Sequence, residues 1–425
     1  MRGGLQAMRD SERMLDPAKI LPIPSMGTVR RHLRHPSSRL RAGRFFRPGA
    51  GHADRIRKSI MTALFTPFDL KSVRLRNRIA VPPMCQYSAV DGVTNDWHRA
   101  HYASIARGGA GLVVVEATAV SPEGRITPGC TGLWNDPQVA GMAAIAQEIK
   151  NGGAVAGIQI AHAGRKASAN RPWEGDDHIP NEDARGWQTV APSAVAFGAN
   201  LPKQPEALGL DDIARIKDDF VAAARRALDA GFEWLELHFA HGYLGQSFLS
   251  PHSNQRDDAY GGGFEGRSRF LLETLAAVRA VWPDHLPLTA RMGVIEFDGR
   301  DEETLAESIE LTRRMRAGGL DLLSVSVNFT IPQTNIPWGP AFLAPYAERV
   351  RREAGIAVAS SWNIDDPKVA NRVVEQGQMD LVMIGRAFLA DPHYVYRAAR
   401  ELGLEQPWDV LPPQYAYWLS RYRQA

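Results

Sequence analysis

The stretch "DDIARIKDDFVAAARRALDAGFEWLELHF", residues 211–239, sets two periodicities back to back. Through Asp229 the apolar residues return every three or four positions. Asp211 and Asp212 open the run and Gly231 ends it, which predicts a helix with acids at its positive end and a glycine stop. The residues that follow, "FEWLELHF" (232–239), are almost continuously apolar. A strand with one wet face alternates, whereas one buried on both faces does not. A helix feeding a doubly buried strand is the unit from which helix-covered parallel sheets are built.

Seven other runs have the same texture: "RIAVPP" (78–83), "GLVVVEAT" (111–118), "AVAGIQIA" (154–161), "LPLTARM" (286–292), "LDLLSVS" (320–326), "IAVASSW" (356–362) and "MDLVMIG" (379–385). A second helix, "DEETLAESIELTRRMRAGG" (301–319), again opens on acids and closes on glycine. Eight buried strands alternating with helices predict an α/β fold, a (β/α)8 TIM barrel, which takes about 250 residues or more. The excess length falls mainly after strands three and four, in residues 164–197 and 250–270, on the face where barrels build their sites. No repeat of the solenoid kind is visible.

Charge divides the chain. Residues 1–60 hold fourteen Lys and Arg against four acids, a net +10, while the rest carries 36 basic and 43 acidic residues, a net −7. We read residues 1–60 as a basic, disordered N-terminal extension and residues 61–425 as the barrel. The extension fits a start codon placed too early, with Met61 opening the domain, better than a transit peptide, because Asp10, Glu12 and Asp16 are acidic. Nothing in it reads bases, so no nucleic-acid partner is expected. The two cysteines, Cys85 and Cys130, are too few for a disulfide framework or an in-chain four-cysteine iron–sulfur site. They suit a reducing, cytoplasmic setting. No apolar run of about eighteen residues exists, so no membrane span is expected.

Polar residues at the C-terminal strand ends point into a barrel's mouth. Here they are Met84, Cys85, Gln86 and Tyr87; Glu116, Ala117 and Thr118; Gln159 and His162; His238, His241 and Tyr243; Arg291; Ser360, Ser361 and Trp362; and Gly385 with Arg386. Two histidines three apart can be a metal pair, which would want a third His or a carboxylate at a neighbouring strand end, but they are more often a packed or hydrogen-bonded pair. No core strand carries the buried Lys of a Schiff-base aldolase. Gln159 can bond a planar heterocycle with both ends of its amide. Arg291 can face negative charge, and Gly385 with Arg386 matches the phosphate site after strands seven and eight. Ring, charge and phosphate together describe flavin mononucleotide. The imidazoles can then hold a substrate oxygen while Tyr243 delivers a proton. No G-x-G-x-x-G follows a first strand, so a tightly held second dinucleotide is not expected.

The segments "PPMCQYS" (82–88), "EATAVSPEGR" (116–125), "QIAHAGRKAS" (159–168), "ELHFAHGYLGQSFLSPHSNQRDDAYGG" (236–262), "LTARMG" (288–293) and "LVMIGRAFLADP" (381–392) resemble the Old Yellow Enzyme flavoproteins. The cysteine of "PPMCQYS" points to their thermophilic-type subgroup, and "DLLSVSVNFTIPQTNIPWGPAF" (321–342) and "YAYWLSRYR" (415–423) to its xenobiotic reductases. The resemblance runs from about residue 62 to the end. It implies an FMN-dependent ene-reductase that takes hydride from NADPH or NADH and reduces activated alkenes by a ping-pong mechanism. Nitro compounds or other xenobiotics as the main substrate, and a non-catalytic flavin-binding protein, are the alternatives.

The resemblance also assigns roles. Pro83, Met84, Cys85, Ala117, Gln159, His238, Arg291, Trp362, Gly385 and Arg386 would contact FMN, with Cys85 tuning its potential and Arg291 facing the reduced ring. His238 and His241 would grip the substrate's oxygen without a metal, and Tyr243 would be the general acid. Tyr87, Trp362 and Trp418 would border the substrate. A homo-oligomer, dimer or tetramer, is expected, with the C-terminal segment at the interface. Three departures stand out. An Arg common near Tyr417 or Trp418 is missing. Asn363 replaces a glycine after strand seven, which a left-handed turn tolerates. The glycines at 261–263 and Gly266 are expected to loosen their loop.

Overall fold

The computed structural model describes residues 62–422. The basic head, and the start expected at Met61, lie outside the described residues.

Eight parallel strands close into a barrel in strict chain order: β1 (Ile79–Val81), β2 (Leu112–Ala119), β3 (Val155–Ala161), β4 (Trp234–Phe239), β5 (Leu288–Ile295), β6 (Leu322–Val327), β7 (Ala357–Ser360) and β8 (Leu381–Met383), with β8 pairing back onto β1. All eight predicted runs are barrel strands. β1 stops at Val81 because Pro82 and Pro83 have no N–H to donate. β7 stops at Ser360 because Trp362 and Asn363 turn left-handed, with φ of 76° and 49°.

A helix follows each strand: α1 (Asp96–Arg107), α2 (Pro137–Asn151), α3 (Leu210–Asp229), α4 (Phe264–Arg279), α5 (Asp301–Ala317), α6 (Ala344–Ala354), α7 (Pro367–Glu375) and α8 (Tyr394–Glu401). α3 shows why the sequence period matters. It buries Ile213, Ile216, Phe220, Ala223, Ala224 and Ala227, one stripe along its length. Asp212 Oδ2 accepts the Gly209 N–H at 3.1 Å and ties down its start. Gly231, at φ 84°, ends it and turns the chain into β4, whose six residues are all buried. Packing these apolar faces against the strands is the main source of stability, at roughly 1.5–3 kcal/mol for each large side chain fully buried. No helix among the described residues is long and apolar enough to cross a membrane.

An antiparallel hairpin, Phe68–Leu70 with Val73–Leu75, precedes β1. The loop after β3 is held to its neighbours by Arg165, which donates to Val195 O, Ala196 O and Thr330 O. The loop after β4 is pinned by Arg256, which donates to Pro192 O and Leu208 O. The expected looseness at 261–266 is not found throughout. A Cβ on Gly261 would meet Arg256 O at 2.1 Å and one on Gly266 would meet Gly261 O at 1.9 Å, so these glycines permit close backbone packing. Of the four glycines in this loop, Gly262 and Gly263 have open space. A third insertion, residues 328–343 between β6 and α6, lines a cavity at the mouth through Phe329, Ile336 and Trp338.

Candidate active site

The end of β4 shows how a short sequence builds chemistry. His241 and Gly242 both turn left-handed, at φ 63° and 68°, so the chain folds back and brings His241 beside His238. Only glycine fits at 242, where a Cβ would lie 2.3 Å from Phe329 O. A left-handed histidine costs roughly 1–2 kcal/mol. Lys166 offsets this: its Nζ donates to His241 O and to Phe329 O, each at 2.8 Å, and lies 4.0 Å from the Phe197 ring centre. Six non-glycine residues at the mouth have positive φ: Tyr87, Ala199, His241, Phe329, Trp362 and Asn363. Such strain gathers at functional sites.

The two imidazoles stand perpendicular, 5.0 Å apart, and the Tyr243 ring is 5.0 Å from His238. His238 Nδ1 accepts the Ala240 N–H at 3.2 Å, which leaves the ring hydrogen on Nε2, free to donate. His241 Nε2 lies 2.8 Å from Ser326 Oγ, which also accepts the Trp362 indole N–H at 3.3 Å. Burial, then the Arg291 charge, holds both histidines well below their usual pKa, so both are neutral at pH 7. Burial first, then the Cys85 thiol, raises the Tyr243 phenol above its ordinary value, so it keeps its proton. Neutral donors around one point can polarise an oxygen without a metal. Among the described residues no cluster of three or more His, Cys, Asp or Glu is arranged to hold a metal ion.

Two cavities meet at His241 and Trp362. The first, about 600 Å³, is lined by Pro83, Met84, Arg291, Gly385 and Arg386 with those two residues. The second, about 530 Å³, is lined by Tyr243, Lys166, Phe329 and Trp338 with them. Of the predicted residues, Cys85 is half-buried and the Ala117 N–H and Tyr87 hydroxyl face its thiol, while Gln159 and His238 are buried behind the mouth. The chain's own Trp418 lines neither cavity. It is 69% exposed, on an apolar surface groove with His393, Tyr396 and Tyr415. Asn363 does make the left-handed turn expected of it, and its carbonyl accepts the Ala341 N–H at 2.8 Å.

The polar groups around the first cavity fit FMN. Gln159 donates Nε2–H to Glu236 Oε1 at 2.7 Å, which fixes the amide and leaves its carbonyl oxygen to accept from a ring N–H. Arg291 is tethered through Nη2 to Ser361 Oγ at 2.7 Å, and its buried Nε has no partner among the described residues. Arg386 is exposed and has no ion pair among the described residues, as a phosphate ligand would be. A Cβ on Gly385 would press on Met84 Sδ at 3.2 Å and narrow the cleft.

Pattern reading leaves Lys166, Ser326, Phe329 and Trp338 without roles. Lys166 is not on a strand, where a site lysine was sought, but in the turn after β3, from which it reaches the mouth. Burial lowers it to about 7. Its only signal is its place beside Arg165 in the short run "AHAGRKAS" at the end of β3. Phe329 and Trp338 belong to the 328–343 insertion and have no periodicity to betray them.

The profile of the NADH:flavin oxidoreductase / NADH oxidase family matches residues 63–405. An NADPH dehydrogenase of Geobacillus thermodenitrificans is 39% identical over 346 residues, 81% of this chain and 96% of its own. One of Bacillus subtilis is 38% identical over 354 residues, 83% of this chain and 98% of its own. Among solved structures, morphinone reductase in complex with tetrahydroNAD is similar at a TM-score of 0.67 and 29% identity, over 83% of this chain and 93% of that one. The old yellow enzyme homologue from Zymomonas mobilis gives 0.67 and 27%, over 83% and 98%. With the barrel, the paired neutral histidines and the flavin-sized cleft agreeing with these likenesses, the chain belongs to the NADH:flavin oxidoreductase family, the Old Yellow Enzyme flavoproteins.

Proposed function

We propose that this flavoenzyme is an ene-reductase, oxidising NADPH or NADH and reducing the C=C bond of α,β-unsaturated carbonyl compounds in a ping-pong cycle. The observation that carries the reading is the pair of neutral imidazoles set 5.0 Å apart, with the protonated Tyr243 phenol beside them and His241 at the point where the two cavities meet.

When bound, FMN supplies the two-electron chemistry that links nicotinamide and alkene. Gln159 and Arg291 would hold its ring, and Arg386 its phosphate. His238 Nε2–H and His241 would bind the carbonyl oxygen of the alkene and draw charge onto it. Tyr243 would then give its proton to the α-carbon. Trp362, Trp338 and Phe329 would stack around the substrate's apolar body and exclude water. Because nicotinamide and alkene would use the same mouth, one must leave before the other enters. The relatives named NADPH dehydrogenase support a nicotinamide reductant.

The exposed aromatic face of the C-terminal helix Pro413–Leu419, with Tyr415, Tyr417 and Trp418, supports a homo-oligomer in which this segment lies at the interface. The cysteines Cys85 and Cys130 are both free, which agrees with a cytoplasmic setting.

The deciding experiment is anaerobic stopped-flow on the purified yellow protein. NADPH or NADH should bleach the flavin absorbance and 2-cyclohexenone should restore it. Restoration by nitro compounds but not by the enone would favour nitroreduction, and failure of both would leave a flavin-binding protein without this activity.

A further inference from the structure

One fully buried carboxylate beside the site has no role in the scheme above. Glu116, at the end of β2, sits behind the loop that carries Cys85 and Tyr87 and is 0% exposed. Its Oε2 accepts the Gln86 N–H at 2.9 Å, and the Tyr87 N–H faces the same carboxylate. Its Oε1 accepts the Tyr102 hydroxyl at 3.1 Å, while Tyr102 Oη accepts the Glu116 N–H at 2.9 Å. Thus a single side chain ties α1 to β2 and to the loop after β1. The Ala117 N–H, on the next residue, faces the Cys85 thiol.

We infer that Glu116 is a positioning residue: its carboxylate fixes the left-handed turn at Tyr87 and sets the charge felt by the Cys85 thiol, and so tunes the edge of the flavin that Cys85 borders. A purely structural anchor would not need a charge here, since a neutral acceptor could satisfy one N–H. A carboxylate accepts all three donors at once. Protonated, it must turn one oxygen into a donor amid donors, and a backbone N–H loses its partner.

The groups facing Glu116 are His98 and Tyr102 from α1, Cys85 and Tyr87 from the loop after β1, and Cys130 from the loop after β2, with His101 packed against Tyr102. Burial holds His98 and His101 near 4 and raises Cys130 to about 11, and Tyr87 and Tyr102 are raised above their ordinary values. Near neutrality Glu116, itself raised to about 7 by burial, is therefore the member of this group that changes charge. His98 Nε2, buried and without a hydrogen-bond partner among the described residues, lies 3.8 Å from Oε1.

The test uses the holoenzyme and its Glu116→Gln and Tyr102→Phe variants. The first readout is the rate of Cys85 alkylation by iodoacetamide at pH 8.5, Cys130 being only 1% exposed. Burial first, then Cys130, then the Glu116 charge raise the thiol's pKa; Glu116→Gln removes the last of these, so alkylation should speed up at least threefold, about half a pKa unit. The second readout is the flavin midpoint potential against pH. The wild type should show an inflection near pH 7. Glu116→Gln should lose it and lie at a more positive potential. Tyr102→Phe, which deprives the carboxylate of a donor, should move it to higher pH. A folded Glu116→Gln protein with wild-type alkylation and potential would overturn the inference. If that variant does not fold, an unmoved inflection in Tyr102→Phe does so. The potential readout rests on the flavin placement proposed above, whereas alkylation reads the thiol directly. A protein that binds no FMN yet shows the alkylation change would refute the placement and leave the role of Glu116 standing.

Discussion

Tyr243→Phe separates chemistry from folding because of where the hydroxyl sits. It opens onto the second cavity and makes no hydrogen bond within the described residues. Its removal therefore orphans no partner, and stability should change by no more than about 0.5 kcal/mol. The ring contact with His238, 5.0 Å between centres, is kept by Phe, so the imidazole pair stays in place. What disappears is the proton for the α-carbon. General acid catalysis contributes about 10²- to 10⁴-fold, or about 2.7–5.4 kcal/mol of barrier. The assay is anaerobic stopped-flow on each half-reaction: bleaching by NADPH or NADH, then recovery with 2-cyclohexenone. Recovery should slow at least a hundredfold while bleaching stays within about threefold. Recovery with a quinone, whose oxygens take protons from solvent without help at carbon, should stay near the wild-type rate. Equal slowing of both halves, or a loss with the enone below about threefold, would refute the assignment of Tyr243 as proton donor.

Lys166→Met removes two hydrogen bonds from a charged donor, worth about 1.5–3 kcal/mol each, and should raise the KM for the enone about tenfold or more through the freed His241 turn. Because burial places Lys166 near 7, it is charged below that pH and loses its charge above it, so the wild-type KM should climb as pH rises past 7 and the climb should vanish in the variant. Phe220→Ala, which empties a buried site on α3 facing Phe239, should cost about 3–5 kcal/mol in urea unfolding without changing the flavin spectrum. His162, buried and held near 4 by burial, stays neutral in the fold while the unfolded chain takes up a proton below about 6.5. Its contribution to stability is thus present above pH 6.5 and falls away toward pH 4. His162→Gln should reduce that acid-side slope by about one proton, about 1.4 kcal/mol per pH unit, in unfolding midpoints measured across the window.

The sequence by itself determined the barrel. Doubly buried strands leave continuous apolar runs, helices leave a three-to-four-residue stripe, and in a closed parallel barrel chain order is also spatial order, so a one-dimensional pattern suffices to name the topology. It also brought His241, Tyr243 and Arg291 to the mouth and His238 behind it, since strand ends are legible and these side chains lie on the strands or just after them. Only the tertiary structure decided what the loops contribute. Lys166 reaches His241 from another strand's turn, Phe329 and Trp338 arrive on an insertion without periodicity, and Glu116 and Glu236 differ from ordinary buried acids only through partners far away in the chain: Gln86 for one, Gln159 for the other. The tightness of Gly261 and Gly266 belongs here too, because a run of glycines reads as freedom until the backbone that crosses it is known. Trp418 stands outside both cavities of its own chain. The physical reason is the same in each case: periodicity records which face of a segment is buried, while hydrogen bonds, cavities and charge depend on residues that meet only when distant segments fold together.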